Sequence, residues 1–157
     1  MTTILFADDN PAICEYCRRG LEDDGYDVLI VHNGAEAVRM AHVRHPDLVV
    51  LDICMPGMDG LEAAPHIRRV LPAVPIVFFT LWDEACAEHE HARFASACVE
   101  KSEDLTELKR VIAAVLWARR QRRPYQLGLP PLAQVDARSA ATREPSPGMA
   151  RRMASPY

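Results

Sequence analysis

The sequence predicts an α/β fold, a doubly wound five-stranded parallel sheet with helices on both faces, followed by a tail. Three observations predict it. Short apolar runs alternate five times with stretches of helical periodicity, the pattern of right-handed βαβ units. The runs are continuously apolar, as in Leu48-Val49-Val50-Leu51, which marks strands buried on both faces. Four of the five runs end in a reactive side chain, and open α/β sheets gather such groups at the carboxyl ends of their strands.

Thr3-Ile4-Leu5-Phe6-Ala7 is the first strand, with Asp8-Asp9 after it. Pro11 suits the first turn of a helix, where its missing N–H leaves no helical bond unmade. That helix is predicted to run to Asp24, with Ile13, Cys17 and Leu21 as its core stripe and Gly25 as its stop. Asp27 to His32 is the second strand, Asn33-Gly34 turns the chain, and Ala35 to His45 is a helix with Val38 and Ala41 inward. Pro46 ends it. The third strand is Leu48 to Asp52, and the loop Ile53-Cys54-Met55-Pro56-Gly57-Met58-Asp59-Gly60 follows. The next helix extends to Val70, and Pro65 within it predicts either a kink or a later start. Pro75 to Thr80 is the fourth strand, Asp83 to Arg93 a polar fourth helix, and Ala95 to Glu100 the fifth strand, with Lys101 at its end. Ser102, backed by Glu103 and Asp104, is the expected start of a fifth helix whose apolar face is Leu105, Leu108, Ile112, Val115 and Leu116.

From Pro124 the composition changes. Six of the twelve prolines fall there, among Arg, Ala and Ser and few large apolar residues. The division expected is a folded domain over 1–123 and a disordered tail over 124–157.

Charge divides the chain in the same way. Residues 1–117 carry twenty Asp/Glu against ten Lys/Arg, whereas residues 118–157 carry eight Arg against two acids. The acidic body argues against nucleic acid as its partner. Arg119-Arg120 and Arg122-Arg123 read as a solvated helix end, with nucleic acid or anionic lipid as the alternative contact. No run of eighteen apolar residues exists, so no membrane span is expected, and the N-terminus does not read as a signal peptide. A cytoplasmic address follows. Cys14, Cys17, Cys54, Cys86 and Cys98 are odd in number and irregular in spacing, which predicts reduced thiols. Cys14 and Cys17 read as one core and one surface thiol of an ordinary helix. His42 and His45 share a helix face, but no acid or Cys completes a zinc set, so they read as solvated or capping residues.

The strand ends carry the chemistry. Asp8 and Asp9, Asp52, Thr80 and Lys101 follow or end strands one, three, four and five. Any one of them could simply cap a strand; five compatible groups on one edge argue for a site. Three crowded carboxylates repel unless a cation shares the site. They are hard oxygen ligands and suit Mg²⁺ with water and a phosphate. A Lys and a Thr hydroxyl then suit a phosphoryl group. The chain's only lysines are Lys101 and Lys109, so Lys101 stands out in a chain that otherwise uses Arg.

On Asp8-Asp9, Asp52, Met55-Pro56-Gly57-Met58-Asp59-Gly60, Thr80 and Lys101, over residues 2–120, the chain resembles the receiver domains of bacterial two-component response regulators. The resemblance implies a flavodoxin-like fold and a stand-alone phosphoprotein that signals rather than an enzyme with its own substrate. It implies phosphoryl transfer to Asp52 from a sensor histidine kinase or a histidine phosphotransfer protein. By it, Asp9, Asp52 and the backbone carbonyl of Cys54 would hold Mg²⁺, Asp8 would act through water, and Thr80 and Lys101 would contact the aspartyl phosphate. Output would run through protein contacts at the face around helix 4, strand 5 and helix 5, with a homodimer left open. The added phosphate charge would draw Thr80 inward and shift that face.

Three positions depart from the family pattern. Ser102 follows Lys101 where the family usually has Pro, so no cis peptide is expected there. Cys98 stands where an aromatic residue usually moves with the Thr. Leu81, then Trp82, stands where the family usually has a small residue after the Thr, and Trp82 and Cys54, flanking the path of attack, predict slow loss of the phosphoryl group to water. The rival readings are a phosphorylation-independent interaction module, suggested by Cys98 and Leu81, and a regulator contacting nucleic acid through the Arg-rich tail. A Mg²⁺-dependent phosphatase is set aside, because Cys54 stands where such enzymes carry a second Asp.

Overall fold

The computed structural model describes residues 1–81 and 90–122. Trp82, most of the expected fourth helix and the expected tail lie outside the described residues.

Five strands form one parallel sheet: β1 (Thr3–Ala7), β2 (Asp27–Val31), β3 (Leu48–Leu51), β4 (Ile76–Thr80) and β5 (Ala97–Glu100). Their order is β2-β1-β3-β4-β5, the flavodoxin-like order. Every neighbouring pair is parallel, so all five carboxyl ends lie along one edge. Successive residues point to opposite faces. Leu5, Ala7, Val49, Leu51, Ile76 and Phe78 pack into one core with α2 (Gly34–Arg44) and α3 (Gly60–Val70). Ile4, Phe6, Leu48, Val50, Val77 and Phe79 pack into the other, with α1 (Pro11–Asp23) and the last helix (Thr106–Gln121). This two-sided burial is why the strands read as unbroken apolar runs.

The helix starts are set by side chains. Asn10 Oδ1 accepts from Ala12 N and Ile13 N at the head of α1, and Asn33 Oδ1 accepts from Glu36 N at the head of α2. At the head of α3, Asp59 Oδ1 accepts from Glu62 N at 2.8 Å while Glu62 Oε2 accepts from Asp59 N at 3.1 Å, a reciprocal capping box. Gly25, at φ +86°, ends α1 as predicted.

Several local expectations are corrected. The core stripe of α1 is Cys14, Cys17 and Leu21, so both thiols of the CxxC pair are buried and Ile13 is only partly so. In α2 it is Ala37 and Ala41 that are buried, with Val38 at the margin. α3 starts at Gly60 and runs past Pro65 to Val70, so Pro65 does not delay it. The missing N–H of Pro65 deprives the Leu61 carbonyl of a helical donor, and His91 Nδ1 lies 3.1 Å from that oxygen. A carbonyl only accepts, so Nδ1 carries the proton. His91 belongs to a short 3₁₀ helix, Glu90–Phe94, where the end of the fourth helix was expected. Arg68 fastens the same region, donating to the carbonyls of Pro72, Val74 and Phe94. The last helix starts at Thr106 rather than Ser102. The Ser102 hydroxyl is engaged with the Asp104 carbonyl, and Asp104 Oδ1 accepts from Thr106 N instead.

The far end of the last helix is tied down. Arg119 Nη1 donates to the Asp47 carbonyl and lies 3.6 Å from Asp47 Oδ1, and Arg120 Nη2 donates to Thr2 Oγ1 at 3.3 Å. Two of the arginines expected in solvent thus bind the amino-terminal end of the sheet. Cys98 is disulfide-bonded, against the expectation of thiols throughout, while Cys14, Cys17 and Cys54 are free. Among the described residues no helix is long and apolar enough to cross a membrane.

Candidate functional site

Parallel pairing brings four strand ends to one place. Asp8 follows β1, Asp52 follows β3, Thr80 ends β4 and Lys101 follows β5. The backbone continues the ladder past the strands. Asp8 N donates to Val31 O at 3.2 Å, Asp52 N to Ala7 O at 2.8 Å, and Lys101 N to Thr80 O at 2.7 Å. The peptides that carry the site are therefore as fixed as the sheet.

Asp8, Asp52 and Thr80 are buried, whereas Asp9 is exposed. The Lys101 ammonium sits between two carboxylates, 2.6 Å from Asp8 Oδ2 and 3.1 Å from Asp52 Oδ2. The Phe79 ring also lies near it, 5.8 Å away at the centroid. The second oxygens are held by the backbone: Asn10 N donates to Asp8 Oδ1 at 2.9 Å, and Cys54 N to Asp52 Oδ1 at 3.3 Å.

The charges do not balance. Three carboxylates face one ammonium. Burial pushes the Asp52 carboxyl up, Lys101 offsets part of that, and Asp8 adds to the rise. Burial alone would lower Lys101, but Asp8 and Asp52 outweigh it and hold the ammonium above its ordinary value. The Cys14 thiol, 3.2 Å from the Asp8 carbonyl, is pushed up to about 11 by burial and by Asp8. Burial pushes Cys17 up to about 12. Both stay protonated at neutral pH, which fits core thiols and not a redox pair.

A cation fits this donor set. Asp8, Asp9 and Asp52 each offer an oxygen, all within 4.8 Å of one another. Asp8 Oδ2 is fully buried and meets the Lys101 ammonium at 2.6 Å. Clustered hard oxygens that outnumber the one ammonium beside them are what a divalent ion with a partial water shell takes.

The loop after β3 shapes the site in a way the sequence pattern did not reveal. Gly60 N donates to Ile53 O at 3.0 Å, and a Cβ on Gly60 would lie 2.1 Å from the Asp52 carbonyl oxygen. Only glycine lets the head of α3 approach Asp52 so closely. The signal was present as a glycine closing a Pro/Gly loop. Cys54 is exposed beside Asp52, and Leu81, beyond Thr80, is 68% exposed. The peptide after Lys101 is trans, as expected with Ser102 in place of Pro.

Residues 4–113 match the family model described as the response regulator receiver domain. The chain is similar to the alkaline phosphatase synthesis transcriptional regulatory protein PhoP of Bacillus subtilis, at 38% identity over 52% of this chain and 34% of that protein. It is similar to the response regulator MprA of Mycobacterium ulcerans, at 41% over 51% of this chain and 34% of that one. The match thus spans about a third of the length of these curated relatives. Among solved structures it resembles the response regulator TrrA of Thermotoga maritima in complex with Mg²⁺-BeF, with 34% identity, 73% of this chain and 99% of that one covered, and a TM-score of 0.70. The same regulator in complex with the histidine kinase ThkA superposes at a TM-score of 0.69, with 34% identity over 74% of this chain and 99% of that one.

Proposed function

Because the chain belongs to the response regulator receiver domain family, we propose that it is a phosphorylation-switched receiver whose acceptor is Asp52, with a sensor histidine kinase or histidine phosphotransfer protein as donor. The observation that carries this reading is the Lys101 ammonium set 3.1 Å from Asp52 Oδ2 and 2.6 Å from Asp8 Oδ2, on an edge with more carboxylates than cations.

An Asp52 oxygen attacks the phosphorus of the donor's phosphohistidine. The P–N bond breaks, its electron pair stays on the imidazole nitrogen, and an acyl phosphate forms. Lys101, already within reach of Asp52, offsets charge on the transferring oxygens, and phosphoryl transfer asks for little more than such positioning and neutralisation. The Thr80 hydroxyl, on the neighbouring strand end, takes a phosphate oxygen. Asp9, Asp52 and the Cys54 backbone carbonyl would hold Mg²⁺, with Asp8 acting through water. When bound, the ion supplies further charge neutralisation at the phosphoryl oxygens. The domain that does this is residues 1–123, and its output passes through protein contacts on the face of β5 and the elements beside it.

The test is incubation with acetyl phosphate and Mg²⁺, read by intact mass and Phos-tag gel, with Asp52→Asn alongside. Wild type gains one phosphoryl group and the variant none. A wild type left unmodified by acetyl phosphate and by a cognate kinase overturns the reading and leaves a phosphorylation-independent interaction module.

A further inference from the structure

The backbone carbonyl of Asp8 is held by two side chains that have no part in the phosphoryl chemistry above. Asp8 is fully buried, so that oxygen needs donors. Asp8 N donates to Val31 O, as in a parallel ladder. Continued, the ladder would bring the N–H of residue 33 to Asp8 O, but there the chain turns into α2, with Asn33 as its N-cap. The Cys14 thiol donates to the carbonyl instead, at 3.2 Å, and His32 Nδ1 lies 3.2 Å from the same oxygen. A carbonyl only accepts, so Nδ1 carries a proton. It therefore takes nothing from the thiol, and the 3.8 Å between Nδ1 and Cys14 Sγ is the spacing of two donors on one acceptor. His32 is itself held, since its backbone N–H donates to Glu36 Oε2 at 3.1 Å.

We propose that His32 and Cys14 position Asp9 for the cation by locking the plane of the Asp8–Asp9 peptide, a role that rests on the metal set proposed above. The carboxylates of Asp8 and Asp52 are both held by Lys101. Asp9 differs. It is exposed, and among the described residues no hydrogen bond or ion pair holds its carboxylate. Its placement therefore depends on its backbone. A peptide is planar, so donors that fix the Asp8 oxygen also fix the nitrogen and Cα of Asp9. On the other side, Asn10 N donates to Asp8 Oδ1 at 2.9 Å and holds the peptide after Asp9. Asp9 is thus pinned at both of its peptides, one of them by His32 and Cys14. Hydrogen bonds behind a metal ligand fix its orientation and raise affinity for the ion. His32 acts here through the backbone and is a positioning residue, not a ligand.

Calorimetric titration of the full chain with Mg²⁺ tests this, with His32→Leu and His32→Asn beside wild type. Leu keeps bulk and removes the donor. The Asn amide nitrogen, like His Nδ1, is bonded to Cγ and restores the donor. His32→Leu binds Mg²⁺ about tenfold more weakly, the lower end of what losing such a supporting contact costs, and His32→Asn regains the wild-type affinity. In labelling by acetyl phosphate, the Mg²⁺ concentration at half-maximal rate rises by the same factor in His32→Leu, while the rate at saturating Mg²⁺ stays at the wild-type value. A loss of general stability alone would not divide in that way or be rescued by Asn. An Mg²⁺ affinity unchanged in His32→Leu, or lowered equally in His32→Asn, overturns the proposal. The titration needs no phosphoryl transfer, so failure of the positioning role is read in Mg²⁺ affinity and failure of Asp52 as acceptor is read in the labelling.

Discussion

Asp52 is a carboxylate placed where the fold alone would not put a charge. Burial raises its pKa in the folded state, Lys101 offsets part of that, and Asp8 adds to it. An acid with a raised folded pKa holds its proton more tightly when folded. Ionising it therefore costs stability as pH rises from the unfolded pKa through the folded one, and above both the cost is complete. Asp52→Asn is thus expected to melt higher than wild type at pH 7 in the presence of EDTA. The gap should close as pH falls below about 4, where the unfolded carboxyl is protonated too. Differential scanning calorimetry across pH checks this, and a variant that melts no higher at pH 7 contradicts it. Lys101 keeps its pairing with Asp8 at 2.6 Å in that variant, so the change removes a surplus negative charge and leaves no ammonium stranded. The same residue is costly to the fold and necessary to the proposed chemistry, a tension common at functional sites.

At the scale of elements, α3 shows how a local fault is repaired from a distance. Pro65 removes the donor that the Leu61 carbonyl would have had, and His91 stands 3.1 Å from that oxygen. His91→Ala is expected to cost about 1 kcal/mol, the usual net value of a hydrogen bond whose partner stays partly buried. Pro65→Ala restores the helical N–H, so the cost of His91→Ala should shrink in that background, with a coupling of about 1 kcal/mol in a double-mutant cycle by urea unfolding. Additive effects would mean that the two residues do not share the carbonyl. The contact joins α3 to the 3₁₀ helix that leads into β5, and Arg68 joins the same parts through the Phe94 carbonyl. The strand that delivers Lys101 is thereby held from the α3 side as well as by its pairing with β4.

The whole molecule is a sheet with a core on each face, and each core is needed. Phe78 is fully buried in one, and Phe6 is fully buried in the other, edge-on to Phe79 at 6.0 Å. Phe78→Ala and Phe6→Ala are each expected to cost about 3–5 kcal/mol. Because the stability of a domain is about 5–15 kcal/mol, the double variant should lose most or all of it, as circular dichroism and urea titration would report. A double variant that folds with near-native stability would mean that the two cores are not both required.

The strands and the site edge were legible because both depend on local signals. A strand buried on two faces must be apolar at every position, and Leu48-Val49-Val50-Leu51 and Ile76-Val77-Phe78-Phe79 are. A charged residue next to such a run must lie at its end, and parallel pairing then collects the ends, so Asp8, Asp52, Thr80 and Lys101 could be placed on one edge from the sequence. What only the tertiary structure decided is which distant group each residue meets. Cys14 rather than Ile13 turns inward on α1, since packing against β1 and β2 sets the rotation of that helix. The Leu61 carbonyl that Pro65 leaves without a helical donor meets His91, Ser102 yields the helix start to Asp104, and Arg119 and Arg120 reach Asp47 and Thr2 across the molecule. Cys98 is in a disulfide that no cysteine spacing foretold. Hydrophobic period and strand ends follow from the chain's own geometry, whereas capping, ion pairing and the rotation of a helix depend on residues brought close only by folding.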